Sequence, residues 1–570
     1  MLKLTSLLAI LAATTVAGAL AISSSLASQD SIFVDRLDDP APDGCATNGC
    51  SLREAVAQAN AGSGQQAVDL PAGTITLQSG SITISGNVAI SGEGAGATVI
   101  NGNGTRSFSV TGAASFDHLT VRGAAGSPGC GGAIQNSGDI TLSHVELTGN
   151  DITGQGAGLC NTGTAAVTDS DISGNAASNN SAGAGIHNTG TMTITASNVD
   201  DNTARGVNGG GDGAAIVNVT GATLTIEGSA VSGNTGTSTT CDDCSSGAIS
   251  NDGTLTIRRS TLDSNQADNS AALQNKGVVT IEKSTVSRNT YGSILNSSGG
   301  TITIINSTIS GNVAGPYPKS GLGGISNHGT VSITSSTIAN NTSTQFQYGG
   351  LYNSSQSNQM SIRSSIIANN GQENCWQGGT IVSNGNNVVD DDTCRLNGGT
   401  DQVVADAGLK ALADNGGPTE THELESDSPA IDSGGGSTAC ATDQRDAPRN
   451  PVECDSGSFE LGADPPTPTP VPAATPEPAA YPMGDFNCND RIDTGDVTSG
   501  LRLAIHLDEP SDCGRDTLPC FDFESHCYPW WSDPNCNGTV TAADPLRVVL
   551  FLGDVPIEDA CTPVGDMPTS

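Results

Sequence analysis

The chain has 570 residues, 73 of them Gly, and aromatic residues make up only 3%. That length exceeds one ordinary hydrophobic core, and a compact globular enzyme buries more Phe, Tyr and Trp than this, so stacked repeats or several domains are expected. The formal net charge of -38 repels phosphate backbones and anionic lipid, which argues against nucleic acid as a partner; carboxylates in such excess give solubility and can also hold calcium.

Residues 1–27 read as an export signal. Lys3 supplies the positive start, Leu7 to Leu20 is a mostly apolar run, and small residues offer cleavage points after Ala21 or Ala27. No later stretch approaches the ~20 apolar residues that a membrane span needs. The 16 Cys of an exported chain are expected in disulfides. Cys241-Asp-Asp-Cys244 is a lone CxxC, read as a loop disulfide or two separate pairings.

Residues 28–70 are expected to form an N-terminal cap. Ser51-Leu-Arg-Glu54 is a capping-box pattern that opens an amphipathic helix, with Leu52, Ala55, Val56 and Ala59 on one face. Such a helix would cover a first rung and block edge pairing.

A β-helix is expected over 71–400. From Asn136 to Asn370 one block recurs nine times, opening with Asn at 136, 161, 188, 218, 251, 275, 296, 327 and 353. It closes with Asn at 150, 175, 202, 234, 265, 289, 312, 341 and 370, and six of the nine separations are 14 residues. Connections between blocks vary from 7 to 17 residues, the pattern of a packed rung with a free loop. Apolar residues fall at +4, +6 and +11 from the opening Asn, as in Leu255, Ile257 and Leu262. The first two have the period of a strand, and the jump to +11 crosses a turn into a second short strand. Ser recurs at +9, at 170, 197, 260, 284 and 336. One rung cannot bury its apolar face alone; stacking rungs ~4.8 Å apart buries a continuous column, with Asn and Ser forming ladders at the turns. The expected fold is therefore all-β, a right-handed parallel β-helix, a pectin-lyase-like solenoid. Less regular rungs extend it upstream through Ile75, Leu77, Ile82, Ile84, Val88 and Ile90.

Catalysis on such a solenoid needs clustered carboxylates, or carboxylates with an Arg or Lys base. Asp169 and Asp171, two apart, are placed on one face of a strand, and Asp200 and Asp201 follow in the next rung. These four are the weak catalytic candidates. Arg258 aligns with Glu227 and Glu282 of the flanking rungs, which an alternating charge ladder explains. The seven His, at 118, 144, 187, 328, 422, 506 and 526, show no Ser/His/Asp spacing. Asp390-Asp-Asp392 reads as a turn beside the disulfide candidates Cys375 and Cys394.

With Cys45 ahead of it, Cys50-Ser-Leu-Arg-Glu-Ala55 resembles the N-terminal motif of the CSLREA-domain proteins. Residues 401–464 contain Asn415-Gly-Gly-Pro-Thr-Glu-Thr-His422, Ser428-Pro-Ala-Ile-Asp-Ser433, Asp443-Gln-Arg445, Arg449 and Cys454-Asp-Ser-Gly-Ser-Phe-Glu460. This region resembles the "choice-of-anchor" end of many such proteins. The resemblance implies an exported bacterial β-helix with an interchangeable attachment module, and no particular reaction. Gly-Gly-Ala-Ile134 and Ile-Ser-Gly-Asn312 also resemble motifs of polymorphic outer-membrane-protein adhesins.

Pro465-Pro-Thr-Pro-Thr-Pro-Val-Pro472 and Thr475-Pro-Glu-Pro478 make 465–482 an extended spacer. Residues 483–565 hold two loops that align at an offset of 48 residues. Oxygen side chains stand at loop positions 1, 3, 5, 9 and 12 with a carbonyl at 7, the spacing of a calcium loop closed by a helix. The candidate Ca2+ ligands are Asp485, Asn487, Asn489, Arg491 (carbonyl), Asp493 and Asp496, then Asp533, Asn535, Asn537, Thr539 (carbonyl), Thr541 and Asp544. The duplicated loop–helix, with Asp at position 12 behind a Pro-rich linker, resembles a type I dockerin. That resemblance implies calcium-dependent docking onto a cohesin module. The departures are Asp490 where a turn Gly is usual and a long insert, Pro510 to Trp531, with up to three disulfides among Cys488, Cys513, Cys520, Cys527, Cys536 and Cys561.

The sequence is compatible with two functions. In the first, the solenoid is a secreted shaft that binds a glycan or cell-surface ligand and is displayed through the dockerin-like module. In the second, it is a polysaccharide lyase or glycoside hydrolase recruited to a polysaccharide-degrading complex. The absence of polygalacturonase-type motifs favours the shaft.

Overall fold

The computed structural model describes residues 31–466 except 46–48, 179–182, 207–212, 214, 239–246, 268–269, 316–322, 345–346, 356–357 and 437–440, and the backbone of 520–523 and 526–529. The chain divides into two units, 1–466 and 467–570.

The first unit is a right-handed parallel β-helix. The rung around Asn251 shows its construction. A three-residue strand, Ile249–Asn251, is followed by a Gly turn and a five-residue strand, Thr254–Arg258. A second turn leads into Thr261–Asp263, and a third leads toward the next rung. Each strand pairs in parallel with its counterpart one rung earlier and later: Thr254 opposite Thr223 and Val278, Ile249 opposite Ile216 and Leu273. Repeated pairing builds sheets of 26 and 12 strands. It begins where Ile32–Phe33 meets Gln65–Asp69 and ends where Val388–Val389 meets Gln402–Val403.

The apolar positions of the repeat form the core. Leu255, Ile257 and Leu262 are each no more than 1% exposed, as are their counterparts Val279, Ile281 and Val286. Each such side chain contributes about 1.5–3 kcal/mol over its exposed state. The upstream residues Ile75, Leu77, Ile82, Ile84, Val88 and Ile90 lie in the same core. The helix Leu52–Ala61 buries Leu52, Ala55, Val56 and Ala59 in it too. Its capping box is formed, and backbone N–H groups of Ser51 and Asp43 hold the Glu54 carboxyl down at about 2.

Polar ladders run through this apolar column. Each opening Asn donates from Nδ2 to Oδ1 of the next, at 2.7 Å from Asn136 to Asn161 and 2.9 Å from Asn275 to Asn296. The closing Asn residues do the same, at 2.8 Å from Asn289 to Asn312. At +9 the backbone N–H of each Ser donates to the next Ser Oγ, as from Ser260 to Ser284 at 3.2 Å. These bonds satisfy turn groups that would otherwise be buried unpaired. Where Gly stands two residues after the opening Asn, the turn stacks backbone on backbone: a Cβ added to Gly163 would lie 2.0 Å from the Gly138 carbonyl oxygen, so only Gly fits. The residue before each of these buried Ser has left-handed φ, including Asp169, Ala196, Arg259, Lys283, Asn306 and Ser335, and so do His118 and His144, which precede the apolar counterparts Leu119 and Val145.

After Val403 the chain turns back and runs as a strap along the outside of the stack. It holds a hairpin, Leu409–Ala413 with Thr421–Leu424, and a small core of Ala407, Leu424, Ala430 and Phe459 against Ile366, Ala368 and Val388. Gln444 Nε2 donates to Thr285 Oγ1 (2.8 Å), and Thr308 Oγ1 donates to Gln444 Oε1 (2.7 Å). Ser458 meets Thr308 and Thr337, two successive rungs. Buried Arg449 donates to Asn306 Oδ1 (3.3 Å) and pairs with Glu460 (3.3 Å). Arg445 pairs with Asp443 at 2.7 Å and lies 3.6 Å over the Phe459 ring. Asp446 receives Arg259 (2.9 Å) and Lys283. The residues that carry the choice-of-anchor resemblance are thus largely the fastenings of this strap.

Disulfides join Cys45 to Cys50, Cys130 to Cys160 and Cys375 to Cys394. In the second unit, Cys520–Phe523 and His526–Pro529 form an antiparallel hairpin within the Cys-rich insert. The export signal, Cys241-Asp-Asp-Cys244, the linker from Thr467 onward and both candidate calcium loops lie outside the described residues.

Candidate functional site

The strap divides the outer face of the short third strands. From Thr285 onward their outward residues are buried: Thr285 and Ser287, Thr308 and Ser310, Thr337 and Ala339. Before it, Asp171 and Asn198 are exposed, and Ser173, Asp200, Ser232 and Asp263 are half-buried.

Of the four candidate aspartates, Asp171 and Asp200 lie on this open face and Asp169 and Asp201 in the turns beside it. Asp169 is in the turn between Thr164–Thr168 and Asp171–Ser173, with φ 47°, so it does not share a strand face with Asp171. Buried Ser170 between them turns the chain through the corner. Asp200 ends the strand Asn198–Asp200, and Asp201 enters the following turn with φ 52°. Asp171 accepts from Asn198 Nδ2 at 2.8 Å. Burial, with Asp201 and Asp171 nearby, pushes the Asp200 carboxyl up, and its Oδ1 is buried without a hydrogen-bond partner. Arg258 stands between Glu227 (3.6 Å) and Glu282 (3.4 Å), the expected charge ladder.

A buried, long-range Ser–His contact was not disclosed by the sequence spacing. Ser310 Oγ lies 2.8 Å from His422 Nε2, and His422 Nδ1 is 2.7 Å from the Lys410 carbonyl. Both residues are buried where the strap meets the stack. Burial pushes the His422 imidazole down, keeping it neutral. Its other partner is a backbone carbonyl rather than a carboxylate, so the pair fastens the strap.

The other distinctive surface is an aromatic row. Tyr352 lies opposite Ser326 and Trp376 on neighbouring rungs. The Tyr352 and Trp376 rings stack at 4.8 Å and 12°. Tyr348 stacks on Trp376 at 5.9 Å, and His328 reaches Tyr352 at 5.7 Å. Ring separation between Tyr352 and Trp376 matches the ~4.8 Å rung spacing, so the sheet itself sets the stack. Glu373–Gln377 is the last strand of its sheet, and Trp376, 37% exposed, ends the row. In a chain with 3% aromatics, this concentration around the Tyr352–Trp376 column stands apart. The turn Asp390–Asp392 supports it: Asp391 accepts from the Asn374 N–H (2.8 Å), and Cys394 ties down Cys375, next to Trp376.

No curated protein matches the chain. Among solved structures it is similar to the pectate lyase Pel9A, with 15% identity and TM-score 0.30, covering 75% of this chain and 96% of that one. It is similar also to a mannuronic acid specific lyase of polysaccharide family 6 from human gut microbiota, with 11% identity and TM-score 0.35, covering 59% and 84%. The A-module of the mannuronan C-5 epimerase AlgE6 of Azotobacter vinelandii gives 16% identity and TM-score 0.26, covering 59% and 94%. Likeness at these scores says nothing of activity. The family model described as "Right handed beta helix region" matches residues 248–416, the later rungs of the stack and the first residues of the strap.

Proposed function

We propose that the protein is an exported glycan-binding shaft. The carrying observation is the aromatic row that ends in Trp376. A pyranose ring offers a face of C–H groups that packs against an aromatic ring, whose face is negative and whose body is apolar, while Tyr hydroxyls hydrogen-bond the sugar's own hydroxyls. The charge of -38 disfavours polyuronates and other polyanions, so the ligand class is a neutral glycan. Three described disulfides accord with an oxidising, extracellular setting. The C-terminal unit attaches the shaft: its two loops take Ca2+ through Asp485 to Asp496 and Asp533 to Asp544, and present a dockerin-like face to a cohesin partner. That part of the proposal rests on the loop spacing alone.

The test is affinity electrophoresis in gels containing a panel of neutral polysaccharides, run with wild type and Trp376→Ala. Retention by at least one polysaccharide, reduced in the variant, is the expected result. No retention of the wild type, or equal retention of Trp376→Ala, overturns the reading. Asp200, pushed toward its protonated form, favours a second reading in which it serves as a general acid for glycoside hydrolysis. Release of reducing ends that Asp200→Asn abolishes would support that instead.

A further inference from the structure

The open face carries a cluster that neither the glycan reading nor the strap uses. His118 and His144 occupy the same corner of two neighbouring rungs, set by the register of Asp117 with Ser143 and of Leu119 with Val145. Their rings stack with centroids 4.4 Å apart. Both Nδ1 atoms point at one oxygen, Asp117 Oδ1, at 2.9 Å from His118 and 3.2 Å from His144. One ligand atom from each of the three residues lies within 4.8 Å of the others.

We propose that Asp117, His118 and His144 bind a divalent transition cation, with Zn2+ the best fit. The donor set is two imidazole nitrogens and one carboxylate oxygen. Calcium and magnesium prefer six or more oxygens and bind such a set poorly, whereas imidazole with carboxylate suits zinc. Bonds of about 2.0–2.2 Å at the tetrahedral angle place neighbouring ligand atoms about 3.3–3.5 Å apart. The two N···O separations fall a few tenths of an ångström short, a gap that small side-chain rotations close. The cation takes the place of the protons directed at Asp117 Oδ1 and leaves a fourth position open to water. Ser143 Oγ, 3.0 Å from His144 Nδ1, borders the site. Asp169, the next residue of the same corner column, lies one rung farther on.

The ligands are supplied by a corner held between paired strand segments rather than by a loop. The strand Ala113–Arg122 pairs residue by residue with Asp139–Thr148, fixing the distance between the two His backbones. Both histidines have left-handed backbone, φ 53° and 51°. Glycine adopts that conformation without strain, so His118→Gly and His144→Gly remove the rings without disturbing the corner.

The experiment is Zn2+ titration calorimetry on the full chain, stripped with chelator and held in excess Ca2+ so that oxygen-only sites are filled. Circular dichroism of each variant checks that the fold is kept. Wild type is expected to bind Zn2+ at a site that each single Gly variant weakens by about tenfold or more, and that the double variant lacks. Asp117→Asn, which keeps the shape but loses the charge, is expected to weaken it as well. Co2+ in place of Zn2+ should give visible absorption bands in wild type that the double variant lacks. No Zn2+ binding by wild type, or equal binding by the double variant, overturns the proposal.

Discussion

Asn289 tests whether the polar ladders hold the stack together. Its side chain is fully buried and links three rungs. Oδ1 accepts from the backbone N–H and from Nδ2 of Asn265, both at 3.0 Å. Nδ2 donates to Asn312 Oδ1 at 2.8 Å and to the Leu262 carbonyl at 3.0 Å. Asn289→Ala therefore strands two N–H groups of Asn265 in an apolar column. At about 1–3 kcal/mol for each buried group left unsatisfied, the loss is about 2–6 kcal/mol. Asn136, which opens the other ladder, is the comparison. Its Oδ1 accepts only from the Gly138 N–H of its own turn, at 3.1 Å, while Nδ2 donates onward to Asn161. Asn136→Ala thus strands no donor of an earlier rung and should cost less. Urea unfolding followed by circular dichroism measures both. A loss under about 1 kcal/mol for Asn289→Ala, or equal losses for the two variants, would show that apolar stacking alone holds the rungs.

The strap should respond to acid and the turns to added bulk. Burial works against the Asp446 charge, but hydrogen bonds from Arg259 and Lys283 outweigh it and hold the carboxyl below its ordinary value. A depressed carboxyl gives stability above its unfolded value and loses it as pH falls through the folded one. Protection of strap amides from hydrogen exchange should therefore fall below the ordinary carboxylate range, and Asp446→Asn should reduce it already at neutral pH; pH-independent protection would refute this. Gly163→Ala places a Cβ against the Gly138 carbonyl, where only backbone can yield. A cost of about 1–3 kcal/mol is expected in the same urea assay, and a neutral result would refute the close approach.

The rungs were legible because stacking puts every copy in the same surroundings. A residue such as Leu255 sees Leu224 and Val279, its own counterparts, so aligned copies disclose the contacts. The capping box was legible for a similar reason, since Ser51 and Glu54 meet within one turn. The strap was not. Gln444 meets Thr285 and Arg449 meets Asn306 across more than 140 residues, and no repeat aligns them. Asp169 was misplaced because period-two counting runs straight through a corner that the buried Ser170 in fact makes. The meeting of His118 with His144 did leave a trace. His144 stands at +8 from Asn136, and the same alignment carried one rung upstream reaches His118. The irregular first rungs concealed it, since no opening Asn precedes His118.

The strap also decides how the solenoid meets mechanical load. Terminal rungs of a stack hold on to one neighbour only and would peel away singly if pulled from the end. Here the last described residues before 467 are fastened to the middle of the stack instead. Glu460 grips Arg449, which grips Asn306, and Ser458 grips Thr308 and Thr337. Tension arriving along the chain from beyond Pro466 is shared at once among several rungs as shear. The last coil, Gln402–Val403, is shielded from it until those contacts have given way.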